Sequence, residues 1–210
     1  MGAGLVIVVG LAREARIAGG HGRIAVGAAG IPDALAGARG LISFGVCGAL
    51  DPALAVGDLV IAGGVAGEGG ALATDPAWTA SLRAALPDAR TGLVAGGDAI
   101  AGSPEAKAAL RQASGAAIVD MESHSVAKAA RKAGLPFAVV RAVSDTAAFA
   151  LPRAAQAGFR ANGEPDVGAV IAGLLRRPWE LPALIRTALD AEKAFKSLAF
   201  AARALTPPPV

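Results

Sequence analysis

Short apolar runs bounded by glycine recur along this chain of 210 residues: Leu5 to Val9, Arg23 to Val26, Leu41 to Phe44, Asp58 to Ile61, Ala117 to Val119 and Phe137 to Val143. Several are near-continuous in Val, Ile and Leu, the pattern of strands buried on both faces. Between some of them lie Ala-rich segments with helical spacing, notably Pro104 to Ala113 and Ser123 to Ala133. Ser103-Pro104-Glu105 provides an N-cap, a proline at the first helical position and an early acid. Gly134, with Pro136 just beyond, provides a helix stop. Strands interleaved with helices predict an α/β domain of three layers, α/β/α, around a central mixed, mostly parallel twisted sheet. A hydrophobic content of 54% is ample for one core, so residues 1–205 read as a single domain. Beyond Pro152 the pattern changes. Gly158 to Asp166 reads as a loop, and Val167 to Ala204 as two or three helices broken at Pro178 and Pro182. Residues 167–205 thus form a helical, basic amphipathic extension, and the proline-rich 206–210 a disordered tail.

Charge and cysteine use narrow the function classes. The net charge of +3 comes from arginines spread along the chain, which argues against a nucleic-acid surface. The lone Cys47 excludes an internal disulfide or a Cys-based metal site, and two histidines are too few for a zinc cluster; a reducing compartment fits. The opening Gly4 to Gly10 lacks the basic residues and length of a signal peptide. No apolar stretch approaches the roughly 20 residues that cross a bilayer. A cytoplasmic protein is expected. Leu181, Leu184, Ile185, Leu189, Phe195, Leu198 and Phe200 alternate with Arg186, Lys193, Lys196 and Arg203. Two readings of that stretch stand: packing on the domain or a second subunit, or peripheral contact with the inner face of a membrane.

Some segments carry chemistry-bearing residues. At Val9-Gly10-Leu11-Ala12-Arg13-Glu14-Ala15-Arg16 a strand empties into a turn and a helix. Such a turn can cradle an anion on its N–H groups, or Arg13, Glu14 and Arg16 are simply a solvated helix face. In Gly45-Val46-Cys47-Gly48-Ala49 two glycines let a ligand approach the main chain; a small buried cysteine is the ordinary reading of Cys47. In Asp120-Met121-Glu122 a carboxylate can accept two hydrogen bonds from a cis-diol while methionine covers a sugar face; the alternative is an N-cap and a first-turn acid. Ser144-Asp145 closes an apolar strand, where ligands of α/β sheets bind, and an aspartate there can act as a general acid or as a cap.

Taken in order, these segments, with Val56-Gly57-Asp58 and Gly97-Asp98-Ala99-Ile100-Ala101, resemble the nucleoside phosphorylase and nucleosidase superfamily over most of residues 5 to 147. The resemblance implies cleavage of the N-glycosidic bond of a purine nucleoside. It puts Met121 and Glu122 at the ribose, with Glu122 accepting the 2′- and 3′-hydroxyls. Asp145 faces purine N7 as proton donor, oriented by Ser144, and Ile100 and Ala101 lie along the base edge. Arg141 reads as structural. Breaking the C1′–N9 bond places positive charge on the ribose and negative charge on the purine, so a proton at N7 relieves the leaving group.

The nucleophile is the open question. The hydrolytic members of the family carry a water-activating glutamate in a Gly-x-x-x-x-Glu arrangement; counting from Gly10 puts Ala15 there, with Glu14 one residue early. Together with Arg13 and Arg16, this favours a phosphorylase that uses inorganic phosphate as co-substrate, held by Gly10, Arg13, Arg16, Val46, Cys47 and Gly48, and needs no metal or organic cofactor. Glu14 as water base is the hydrolytic alternative, on methylthioadenosine or S-adenosylhomocysteine-type substrates. The run Gly10 to Ala18 and the helices from Leu174 to Leu205 resemble the hopanoid-associated phosphorylases. That implies phosphorolytic release of adenine from adenosylhopane, a lipid-linked nucleoside, by a homo-oligomer. A reading from another class, a non-catalytic nucleotide-binding module, lacks the Gly-x-Gly-x-x-Gly turn it requires.

Overall fold

The computed structural model describes residues 4–67, 70–97, 101–157 and 166–209. The strands are β1 (Leu5–Val9), β2 (Arg23–Val26), β3 (Gly40–Ala49), β4 (Leu59–Ala66), β5 (Leu72–Ala73), β6 (Arg90–Gly96), β7 (Ile118–Asp120) and β8 (Phe137–Asp145). The α-helices are α1 (Ala12–Ala18), α2 (Ile31–Ala34), α3 (Pro76–Ala85), α4 (Pro104–Ser114), α5 (Ser123–Ala133), α6 (Arg153–Ala157), α7 (Val167–Arg176) and α8 (Leu181–Ala201).

The fold is α/β with a mixed sheet, as expected, but it departs from a plain three-layer α/β/α arrangement. β3 pairs in parallel with β8, β8 antiparallel with β4, β4 in parallel with β6, β6 in parallel with β7, and β7 antiparallel with β3. These pairings close a ring, and the mixed sheet curls into a barrel. β1 and β2 extend it in parallel from β3, and β5 adds an antiparallel edge to β4. The closure has a local cause in the long strands β3 and β8, which pair from Leu41–Phe137 to Gly48–Asp145 with a register shift between Cys47 and Gly48. A bulge of this kind increases local twist, and beyond it Gly48 and Ala49 of β3 pair with β7.

Alternation along β1 feeds two separate cores. Val6 and Val8 join Leu41, Ile118, Val126 and Ala130 on one side. Leu5, Ile7 and Val9 join Ile42, Phe44, Trp78 and Leu198 on the other. Burial on both faces is why the run is apolar throughout. Helix ends follow their sequence signals: Ser103 Oγ accepts from Ala106 N at 3.2 Å, and Gly134 stops α5 at φ 65°.

The C-terminal half of α8 packs on the second core through Ala194, Phe195, Leu198 and Ala201, whereas Leu181, Ile185 and Leu189 on its first half remain exposed. No helix among the described residues is long and apolar enough to cross a membrane. The proline-rich tail, expected to be disordered, is tied to the domain through Thr206 and Pro208. Trp78 Nε1 donates to Thr206 O at 3.1 Å, and Pro208 is buried close to Gly40.

Candidate active site

The ends of β1, β3, β7 and β8 open onto a cavity of about 390 Å³ whose lining includes Gly10, Glu14, Val46, Glu122, Ser144 and Asp145. That size is typical of small-molecule sites. A second cavity, about 430 Å³, lies between β5, α3 and α5. It holds Asp75, whose carboxylate is engaged in capping α3, and Arg131, so it offers no comparable cluster of acids.

Glu14 determines the character of the first wall. It sits in the first turn of α1, and its side chain curls back over the turn. Oε2 accepts from Gly10 N at 2.8 Å and Leu11 N at 2.9 Å, and Oε1 accepts from Val46 N at 2.7 Å. The turn does cradle an anion, and that anion is the chain's own carboxylate. Two of the N–H groups expected to hold phosphate, those of Gly10 and Val46, are thereby taken. At 1% exposure, burial raises the Glu14 pKa to about 7, against the opposing pull of Arg141 and the N–H donors. Two glycines make the room. A Cβ on Gly45 would lie 2.5 Å from Glu14 Oε1 and 2.6 Å from Arg141 Nη1, and one on Gly10 would collide with the Glu122 carboxylate.

Arg13 and Arg16 do not join this wall, which corrects the expectation that they hold phosphate. Arg13 pairs with Glu192 of α8 at 2.7 Å and stacks over Phe195 at 4.3 Å; Arg16 is exposed. A short helix can turn only one face inward, and Glu14 and Ala18 occupy it.

Arg141, read from sequence as structural, is the buried cation that organises the acids. Its Nε lies 2.6 Å from Asp120 Oδ2 and its Nη2 3.3 Å from Glu122 Oε2. Nη2 also donates to Ser43 Oγ at 2.6 Å. Asp120 further accepts from Ser123 N at 3.1 Å and from the Ser123 hydroxyl, so it caps the start of α5 while facing Arg141. Glu122 is left turned to the cavity beside Met121, which is 45% exposed. Burial raises the Glu122 pKa, partly offset by Arg141.

Across the cavity, Ser144 Oγ lies 3.0 Å from Asp145 Oδ1 and 3.1 Å from Cys47 O. With one hydroxyl proton it donates to one of them at a time. Asp145 Oδ2 accepts from Lys107 Nζ, which also donates to Thr146 O at 2.7 Å and Phe149 O at 3.1 Å. Lys107, 1% exposed, escaped the sequence reading because a lysine in an Ala-rich helix looks solvated. The available signal was its spacing. Lys107, Leu110 and Ser114 share one face of α4, the face turned inward. Cys47 and Gly48 also line the cavity; burial pushes the Cys47 thiol well above its ordinary range, which makes it a poor nucleophile. Ala101 lines the cavity as well, while Ile100 lies outside the described residues.

The family model described as the phosphorylase superfamily matches residues 20–176. Among solved structures, the chain is similar to S-adenosylhomocysteine nucleosidase from Streptococcus pyogenes, crystallised with 5-methylthiotubericidin, at 22% identity and a TM-score of 0.61, covering 94% of this chain and 98% of that one. It is also similar to futalosine hydrolase of Helicobacter pylori, at 20% identity and a TM-score of 0.63, covering 94% and 96%. A third is 5′-methylthioadenosine/S-adenosylhomocysteine nucleosidase from Neisseria meningitidis in complex with methylthio-immucillin-A, at 18% identity and a TM-score of 0.64, covering 94% and 97%.

Proposed function

The chain belongs to the phosphorylase superfamily, and from that premise we propose that it hydrolyses the N-glycosidic bond of a purine ribonucleoside, with Glu14 activating the water. The observation that carries this reading is the position of the Glu14 carboxylate in the cavity wall, buried, with a pKa of about 7. A general base works best when its pKa lies near the operating pH. Phosphorolysis, the sequence expectation, is disfavoured by charge. Among the described residues the cavity lining contains Glu14, Asp120, Glu122 and Asp145 and neither Lys nor Arg. A phosphate dianion there would meet carboxylates without the paired cations that normally bind it.

In the proposed reaction Glu122 accepts the ribose 2′- and 3′-hydroxyls and Met121 lies against the sugar. Glu14 takes a proton from water as the oxygen attacks C1′, the C1′–N9 electron pair moves to the purine, and N7 receives a proton from Asp145. The acids near the sugar also favour the positive charge that builds there. The substrate class is adenine nucleosides with an apolar 5′ group, since Leu11, Ala28, Val46 and Leu151 provide an apolar lining. That class includes 5′-methylthioadenosine, present in the names of similar proteins, and the lipid-linked adenosylhopane. The test is adenine release from 5′-methylthioadenosine by Glu14→Gln. Loss of about 10²-fold or more supports Glu14 as the base; undiminished turnover removes it from the mechanism.

A further inference from the structure

Most of the large apolar side chains left outside the cores gather in the C-terminal helices. On α7, Ile171 and Leu175 are exposed one turn apart, and on α8 Leu181, Ile185 and Leu189 repeat at the same four-residue spacing. Between the helices, the turn Pro178–Glu180 exposes Trp179. Apolar surface on this scale marks an interaction site. The charges around it are sorted by depth. Arg186 and Lys193 expose 65% and 66% of their side chains, whereas Asp190, which both approach, exposes 14%. Glu180 exposes 16% and accepts from Ala154 N at 3.0 Å, and Glu192, the other acid of α8, is paired with Arg13. Arg176 is exposed beside Leu175. The same region borders the cavity. Glu180 holds the start of α6 at Ala154, Arg186 stacks over Phe149 at 5.0 Å, and Leu151, between those two points, lines the cavity.

We propose that this face, formed by Ile171 and Leu175 of α7, Trp179, and Leu181, Ile185 and Leu189 of α8, docks on an anionic lipid bilayer, with the Leu151 rim of the cavity beside the membrane surface. The aliphatic side chains enter the boundary of the acyl chains, Trp179 sits at the level of the headgroups, and Arg176, Arg186 and Lys193 meet the lipid phosphates. A second copy of the chain fits this face less well. Two-fold packing on the α8 stripe sets one basic flank against another, while the acids available to pair with them are turned inward or already paired. Docking does not depend on which nucleophile the cavity uses, and its test needs no substrate.

The two tryptophans of the chain make the contact measurable. Trp78 is fully buried in the second core, so a change in tryptophan emission on vesicle binding reports Trp179. The full chain is titrated with vesicles of phosphatidylcholine containing phosphatidylglycerol, and with vesicles of phosphatidylcholine alone, and co-sedimentation is followed in parallel. The anionic vesicles should shift the emission to the blue and carry the protein down, and high salt should weaken that binding. Arg176→Gln/Lys193→Gln should weaken it about 25-fold, at about fivefold for each basic side chain near the surface. Leu175→Ser/Leu189→Ser should weaken it about 10²-fold or more. Both pairs are exposed, so the urea midpoint should stay near that of the wild type. Should the leucine variant fail to fold, the charge variant carries the test. Absence of a blue shift and of co-sedimentation with anionic vesicles at low salt overturns membrane docking, and so does equal binding to both kinds of vesicle or undiminished binding by either folded variant. A wild-type dimer that ignores vesicles and is split by Ile185→Glu assigns the face to a second copy instead.

Discussion

At the scale of single residues, the site is a problem in placing acids. Asp120 and Glu122 pair with the guanidinium of Arg141, which also acts on Glu14, and burial raises the pKa values of Glu14 and Glu122. The sign of the resulting pH dependence is fixed. Glu14 is an active base only when ionised, its pKa is about 7, and so kcat/KM should rise with pH through about 7 and fall roughly tenfold per unit below it. A kcat/KM profile that stays flat down to pH 5 would exclude Glu14 as the base. Glu122→Gln should weaken turnover of ribonucleosides more than of their 2′-deoxy analogues, because a charge-assisted hydrogen bond contributes about 1.5–3 kcal/mol only where a hydroxyl donates it. Equal losses on both substrates would remove Glu122 from the ribose. The place of Glu122, Ser144 and Asp145 at the cavity was legible from Asp-Met-Glu and Ser-Asp at strand ends. Glu14 was legible only as the alternative, because its count from Gly10 is one short and the curl of the side chain over the turn is what brings it to the wall. Lys107 was hidden by the ordinary expectation that lysines face water.

At the scale of elements, strand ends and close glycine contacts hold the acids in register. The apolar run in the sequence ends at Phe44, whereas β3 continues as strand through the glycines to Ala49. Its glycines look like loop residues but are there because side chains from α1 and β8 occupy the volume a Cβ would fill at Gly45. Gly10→Ala tests this packing directly. The added methyl must displace the Glu122 carboxylate, and misplacement of that order costs about 10²-fold in rate with the fold retained. Unchanged kinetics in Gly10→Ala would show that the Gly10–Glu122 contact does not position the ribose site. In α8, Leu198 is fully buried in the core beneath β3 and β8, so Leu198→Ala should cost about 2–5 kcal/mol by urea denaturation. A loss below about 1 kcal/mol would mean that this half of α8 is peripheral to the fold. Helix caps and the run Leu5 to Val9 were read correctly from sequence because caps and continuous apolar runs are local signals. β6 and α3 were missed, being short of β-branched residues in one case and marked only by Asp75-Pro76 in the other.

At the scale of the whole molecule, closure of the mixed sheet is what brings β7 beside both β3 and β6, and with it Glu122 opposite the turn after β1. Sequence periodicity identifies strands but carries little information on which strand ends meet, so an open sheet and a barrel predict the same runs. The same limit applies to charge. Arg13 and Arg16 looked available for phosphate until the packing of α1 against α8 turned Arg13 to Glu192. Hydrolysis with Glu14 as base is distinguished from phosphorolysis by single turnover of 5′-methylthioadenosine in ¹⁸O-labelled water, with and without phosphate. Hydrolysis predicts adenine together with a free sugar that carries the label at C1′, formed at the same rate in both conditions. A sugar 1-phosphate, formed only when phosphate is present and free of label at C1′, would contradict it.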